Sequence, residues 1–571
     1  MKSIALEKPY GDKLINLLVS HERSLLLKET AINLTDIICD DRQLCDLELL
    51  ASGAFSPLDG FMNRDNYESV LDRMRLQNDI LWPIPICLSV NKLQVKSLEG
   101  GQSVCLRDQE GFLLAIMHIE DIWKIDKEKE AQKIFKTMDL KHQGVNYLFK
   151  EGRDFYIGGK IEVISLPLHF DFKQLRMTPS EIRNIYEKLG WHRIVGFKTR
   201  HPIHKAQYEI TINAMRQAKA NLLILSVAPK ISLGDFDHYT RVRCYRSVVS
   251  NYPSDSYLLN LLPFALRMSG PRDAILDMII ARNFGCTHFI IGKDHASPEL
   301  NIKEKPFYEA YEARDIAKKY SNEIGVEIIS CEEMVYLPFE DEYRSINQVP
   351  ENTQTLSLSG FDIRKRIISG KNIPKWATFP EVIEQLQNAY PPPKMQGFTI
   401  FLTGLSGAGK STIAKVLYSR FLEKGTRPVS LLDGDIVRQN LSSELSFSKE
   451  HRDINVRRIG FVASLITKNR GIAVCAPIAP YSETRNQIRK IIESYGGFIQ
   501  VYVATPIDEC EKRDRKGMYA KARAGLIKGF TGVDDPYEIP ESSEIEIDTT
   551  NLTPDEAAQE IMLYLGQKGY I

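Results

Sequence analysis

The sequence has no surplus of charge of either sign. Lys and Arg number 74, and so do Asp and Glu, so the chain as a whole offers no electrostatic footprint for nucleic acid or an anionic membrane. Small anionic ligands depend on local clusters and are not excluded. Long apolar runs are also missing: no stretch approaches the roughly 18 residues of a membrane span, and the opening MKSIALEKPYGDKL carries no secretory signal. Cysteine is scattered. The nine cysteines include no C-x-x-C pair, and their odd number argues against a complete disulfide framework. A reducing cytoplasm is the expected compartment.

What is present begins with length. A chain of 571 residues is too long for one core, and about 150 residues per domain suggest about three or four units. Residues 1–170 show short β-like runs at Ile80–Val90, Ser103–Arg107 and Phe112–Ile119, punctuated by Pro57, Gly60, Pro83, Pro85, Gly100 and Gly101. A β-rich unit with some helices is expected there. Gly53–Met62 reads as a turn whose role is packing. Residues 171–390 change rhythm. A helical segment at Glu181–Leu189 leads to an apolar strand at Arg193–Phe197, a basic loop and another helix through Met215, and the alternation continues to Ser330. That alternation predicts a parallel, doubly wound sheet with ligands beyond the carboxyl ends of its strands.

Two basic clusters fall at such ends, Lys198-Thr199-Arg200-His201-Pro202-Ile203-His204 and Gly292-Lys293-Asp294-His295. Their cations and donors are expected to converge on a triphosphate and a second anion. His201 and His204 are spaced for a metal, but no third ligand accompanies them. A stiff linker is expected at 391–396, where Pro391, Pro392 and Pro393 follow one another.

Residues 397–571 open on Phe398–Thr403, an apolar strand, and then on Gly404-Leu-Ser-Gly407-Ala-Gly409-Lys410-Ser411-Thr412. This is the spacing of a phosphate-binding loop: glycines let successive N–H groups face a phosphate chain, Lys410 adds charge, and Ser411 can hold Mg²⁺. An ATP-binding unit is expected. Downstream, Val429–Asp433 ends in Asp433 and Asp435, placed to serve Mg²⁺ through water or to take a hydroxyl proton. Arg452 and Asn455 share a helix face, with Phe447 available to stack on a base.

These motifs resemble two families in tandem. Gly53–Met62, Trp82–Ile86, the 198–207 loop, Tyr239–Arg243, Arg267–Arg272, Gly292–Ala296 and Pro306–Tyr308 resemble ATP sulfurylase over about the first 390 residues. That resemblance implies a PUA-like β-rich domain and a Rossmann-like α/β nucleotidyltransferase domain that releases pyrophosphate from ATP as sulfate attacks the α-phosphate. Thr199, Arg200, His204, Asp294 and His295 carry over directly. Lys198, His201, Gln207 and Lys293 stand where the family has Gln, Asn, His and Arg. The implied catalytic set is Thr199, Arg200, His201 and His204, with Lys198, Lys293, Asp294 and His295 at the nucleotide.

The remainder resembles adenylylsulfate kinase, through Gly404–Thr412, Asp433–Arg438, Phe447–Asn455 and Lys516–Tyr537. This implies a P-loop kinase with a parallel sheet. Gly404, Gly407, Gly409, Lys410, Ser411 and Thr412 would hold ATP, and Asp433, Arg438, Phe447, Arg452, Asn455, Lys528 and Phe530 the adenylyl sulfate. Asp435 would take the 3′-hydroxyl proton. Ala479-Pro480-Tyr481-Ser482 departs from the family's Ser-Pro-Tyr/His-Arg. The expected function is two-step sulfate activation in a homo-oligomer with small-molecule substrates. The alternatives are a first site retuned to another oxyanion or nucleotide, or a non-catalytic scaffold fused to an active kinase.

Overall fold

The computed structural model describes residues 6–228, 236–298, 305–446, 448–514 and 516–571. The chain divides into two compact units, Met1–Gly360 with Pro374–Gln385, and Phe361–Ile373 with Leu386–Ile571. The division is not one cut at the prolines: a segment upstream of them, containing the helix Gly360–Ile368, packs mostly with the second unit.

The first unit begins with a six-stranded mixed sheet. Its strands are β1 (Thr35–Ile38), β2 (Gly60–Phe61), β3 (Leu88–Val90), β4 (Ser103–Arg107), β5 (Leu113–Lys124) and β6 (Phe155–Val163), in the order β1-β4-β5-β6-β2 with β3 also on β6. Of the apolar run expected at Ile80–Val90, only the last three residues pair as strand. Pro83 and Pro85 lack the N–H groups a ladder needs.

A five-stranded sheet follows, β7 (Ile194–Thr199), β8 (Asn221–Val227), β9 (Tyr257–Leu262), β10 (His288–Ile291) and β11 (Glu327–Ser330), all parallel and ordered β11-β10-β7-β8-β9. The chain winds outward from β7 through β8 and β9, then returns to β10 on the other side. Strand order therefore reverses between β7 and β10, and ligands of such sheets bind beyond strand ends at that point. Local sequence sets the helices. Pro179–Leu189 starts on a Thr178–Glu181 capping box, has proline in its first turn and stops at Gly190 in the left-handed conformation. A hairpin, β12 (Met334–Leu337) with β13 (Glu342–Ser345), completes the strands of this unit.

Charged and polar side chains join the two layers of the first unit. Arg267, 2% exposed, gives Nη2 to both oxygens of buried Asp46 at 2.7 and 2.8 Å. Arg272 donates to the carbonyls of Val70, Leu71 and Pro83. Asn283 donates to the carbonyls of Ala54 and Ser56 inside the Gly53–Met62 turn, in keeping with a packing role for that turn.

The second unit is a parallel sheet of β14 (Phe398–Thr403), β15 (Val429–Asp433), β16 (Ile472–Ala476), β17 (Gly497–Val503) and β18 (Ile545–Ile547), ordered β15-β16-β14-β17-β18. Every residue of β14 is buried, as a central parallel strand covered on both faces requires.

Removing one partner of a buried ion pair strands the other charge, at about 3–5 kcal/mol. Asp46→Ala is therefore expected to lower the stability of the first unit by about that much, read as an earlier first transition in urea unfolding of the full chain. A loss below about 1 kcal/mol would show the pair to be dispensable.

Candidate active sites

The glycines of the loop after β14 are conformationally required. Gly404, Gly407 and Gly409 have φ of +148°, +78° and +101°, and a Cβ on Gly404 or Gly407 would sit 2.5 Å from the Val503 carbonyl oxygen or 2.9 Å from that of Cys510. The loop delivers Lys410 to the first position of the helix Lys410–Lys424, with Ser411 and Thr412 exposed behind it. Lys410 is buried and gives Nζ to the Leu405 carbonyl at 2.7 Å. Burial pushes its pKa down to about 8.

The loop opens onto a cleft of about 630 Å³ lined also by Asp433, Arg438, Arg452, Asn455, Pro480 and Thr531. Arg438 donates to the carbonyls of Leu445 and Ser446. Arg452 is held on three sides: Nη1 donates to Thr531 Oγ1 at 2.8 Å, and Nη2 to Asp535 Oδ2 at 2.9 Å and Tyr481 OH at 3.3 Å. Its Nε, and the Oδ1 of Asn455 three residues along the same helix, are buried without a partner among the described residues. An unpaired donor and an unpaired acceptor in one wall invite a ligand offering the complement.

In the first unit the loop after β7 leads into the helix Lys205–Ala218 through His204, whose N–H donates to Gln207 Oε1 at 3.1 Å. His204 is 3% exposed, its Nδ1 pairs with Thr378 Oγ1 at 2.8 Å, and its Nε2 has no partner among the described residues. Burial, then His201, lowers its pKa to about 4, so the ring is neutral at ordinary pH. Arg200 Nε donates to His201 Nε2 at 3.0 Å, and Thr199 Oγ1 to the His201 carbonyl at 3.0 Å.

Lys198 turns inward. It pairs with Asp277, 1% exposed, whose other oxygen takes His295 Nε2 at 2.8 Å. Burial pushes the Asp277 carboxyl up, but Lys198 and His295 outweigh it and hold the pKa below the usual range. Asp273, one turn away and also buried, is raised by burial and by Asp277.

Residues 7–166, 173–389 and 396–548 match, in turn, the PUA-like domain, ATP-sulfurylase and adenylylsulphate kinase families. Curated relatives named sulfate adenylyltransferase are 46% identical over 567 residues in Phaeosphaeria nodorum and 44% identical over 570 residues in Mycosarcoma maydis, each alignment covering 99% of both chains. The chain belongs to the sulfate adenylyltransferase family. The solved structure of a hexameric APS kinase from Thiobacillus denitrificans superposes on 99% of this chain and 100% of its own, with a TM-score of 0.81 and 38% identity.

As a member of this family, the chain is a transferase with sulfate adenylyltransferase and adenylylsulfate kinase domains. The expected residues do not all gather. In the first unit, Lys198 and His295 meet on Asp277, whereas Lys293 and Asp294 are exposed and Lys293 stands 3.7 Å from Glu333. A buried carboxylate attracts the nearest cations more strongly than open solvent does, so the expected convergence of the two clusters on one crevice is only partial. In the kinase, Lys410, Asp433, Arg438, Arg452 and Asn455 line one cleft, but Lys528 is exposed and Phe530 packs edge-on against Tyr519, centroids 5.0 Å apart. Phe447 lies outside the described residues. Asp435 lies in the helix Gly434–Leu441, and its side chain is likewise outside them.

Sequence reasoning missed Asp277, Arg485 and Arg513, while Asp535 fell within the Lys516–Tyr537 match without a role of its own. Asp277 sits within an apolar helix, and nothing local marks it. Arg513, which bonds both the hydroxyl and the carbonyl of Thr549 at the P-loop side of the cleft, comes from a segment that reads as a plain charged helix.

A lysine depressed to about 8 is charged below that pH and discharges above it, and a bound phosphate restores the charge. Nucleotide binding at the kinase site is therefore expected to take up about one proton at pH 9 and almost none at pH 6.5. Calorimetry in two buffers of different ionisation enthalpy measures this, and Lys410→Met should abolish the uptake. Equal uptake at both pH values would contradict the depressed pKa.

Proposed function

We propose that the two units run consecutive steps: ATP and sulfate give adenylyl sulfate and pyrophosphate in the first, and a second ATP phosphorylates the 3′-hydroxyl of adenylyl sulfate in the second. The observation that carries the kinase half is the P-loop and the Arg452–Asn455 face lining one cleft, with a buried donor and acceptor on the acceptor side that have no partner among the described residues. Gly404, Gly407, Gly409, Lys410, Ser411 and Thr412 hold the donor triphosphate. Arg438, Arg452 and Asn455 hold the acceptor, with Lys528 and Phe530 assigned to it by resemblance. Ser411 and Asp433 line the same cleft, a hydroxyl and a carboxylate that suit Mg²⁺ completed by phosphate oxygens and water. When bound, that ion neutralises charge on the transferring phosphoryl group. Asp435 is assigned the 3′-hydroxyl proton on its sequence position alone.

In the first step Arg200 meets the sulfate and His204 the triphosphate. His204 pairs through Nδ1 with Thr378 and, being neutral, presents its unpartnered Nε2 as a group that does not titrate near neutral pH. Thr199 and His201 shape the loop between them. Joining the steps on one chain keeps the kinase at high local concentration beside the source of its substrate. A homo-oligomer is part of the reading, supported by the hexameric state of the structural relative. A reducing cytoplasm suits nine cysteines that all carry free thiols.

The test is the full-length chain assayed for sulfate-dependent pyrophosphate release and for adenylyl sulfate-dependent ADP release. Arg452→Ala removes a charged hydrogen-bond donor worth about 1.5–3 kcal/mol. It should raise the KM for adenylyl sulfate about 10- to 100-fold while pyrophosphate release is unchanged. Arg200→Ala should do the reverse. Kinase turnover without any sulfate-dependent pyrophosphate release across a panel of anions would establish the scaffold reading.

A further inference from the structure

The turn Ala479–Ser482 lacks the arginine that the family resemblance places at 482, and the structure puts another arginine beneath it. Arg485 is 2% exposed. Its Nη1 donates to the Ala479 carbonyl at 2.7 Å, and its Nη2 to Ser482 Oγ at 2.8 Å and the Glu538 carbonyl at 2.7 Å. The guanidinium carbon lies 5.7 Å from the centre of the Tyr537 ring. None of these hydrogen bonds goes to a carboxylate, and burial lowers the Arg485 pKa. A desolvated cation held by neutral acceptors is expensive to maintain unless its placement serves something else.

Its partners show what that is. Ala479 and Pro480 line the kinase cleft. Glu538 closes the 531–538 segment, and its own N–H donates to the Pro480 carbonyl while its carboxylate accepts from Ser482 N at 2.6 Å. Tyr537 OH pairs with Thr403 Oγ1 at 2.8 Å, one residue before the P-loop. Within the same segment Thr531 and Asp535 grip Arg452. Arg485 thus ties together the cleft-lining turn and the far end of the segment that orients Arg452.

We propose that Arg485 is the positioning residue for the acceptor side of the kinase. It acts through Asp535 and Thr531, holding them where they leave Arg452 Nε unpaired for the substrate. The proposal rests on the kinase reading above. Its planar fork serves several acceptors in fixed directions, which the point charge of lysine does not.

The test uses the full-length enzyme with Arg485→Lys, Ser482→Ala and Tyr537→Phe. Arg485→Lys keeps the charge and loses the fork; it should raise the KM for adenylyl sulfate about tenfold, with kcat and the KM for ATP within about twofold of wild type. Ser482→Ala and Tyr537→Phe each remove one hydroxyl and should shift the same KM by about two- to fivefold. They decide the matter if Arg485→Lys does not fold. An unchanged KM for adenylyl sulfate, or equal rises for both substrates, would overturn the proposal while leaving the kinase reading intact. No turnover of adenylyl sulfate by wild type would remove both.

Discussion

A cation taken out of water must be compensated by something, and in the second unit nothing among the described residues fully does so. Lys410 is buried at the first position of the helix that follows the loop, and its Nζ donates to the Leu405 carbonyl. Its depressed pKa measures the mismatch. The rest of the unit is arranged around the phosphate that would correct it: three glycines bend the loop, and the helix Lys410–Lys424 directs its N-terminal N–H groups at the same point. The acceptor wall repeats the pattern, since Arg452 is oriented by Asp535, Thr531 and Tyr481 while its Nε stays unpaired.

The first unit treats its loop cations differently. Asp277 binds Lys198 and His295 from one buried position, so two of the side chains expected at the nucleotide are already held by a carboxylate inside the protein. Arg200, His201 and His204 remain on the loop, where His204 contributes as a neutral ring. Each unit contains a five-stranded parallel sheet with a loop at a central strand end. They differ in whether a carboxylate reaches the loop's cations before a ligand does.

Much of this was legible locally. The P-loop spacing and the alternation of strands and helices after residue 170 are short-range patterns, and each formed as read. The Arg452–Asn455 face followed from helical spacing. The prolines lie inside the second unit, which begins at Leu386, and residues 361–373 also group with it through packing that no composition shift announces. The strand expected over Ile80–Val90 shrank because two of its residues cannot donate to a ladder.

The sequence by itself determined which elements form and which residues lie at strand ends, because caps, glycine conformations and periodicity act over a few neighbouring residues. Only the tertiary structure decided which charges meet. Asp277 is 79 residues from Lys198 and Asp535 is 83 from Arg452, and a carboxylate's effect on a cation depends on distance and burial in space. Both cations end internally paired with a distant carboxylate, and Arg452 alone keeps a buried Nε without a partner among the described residues.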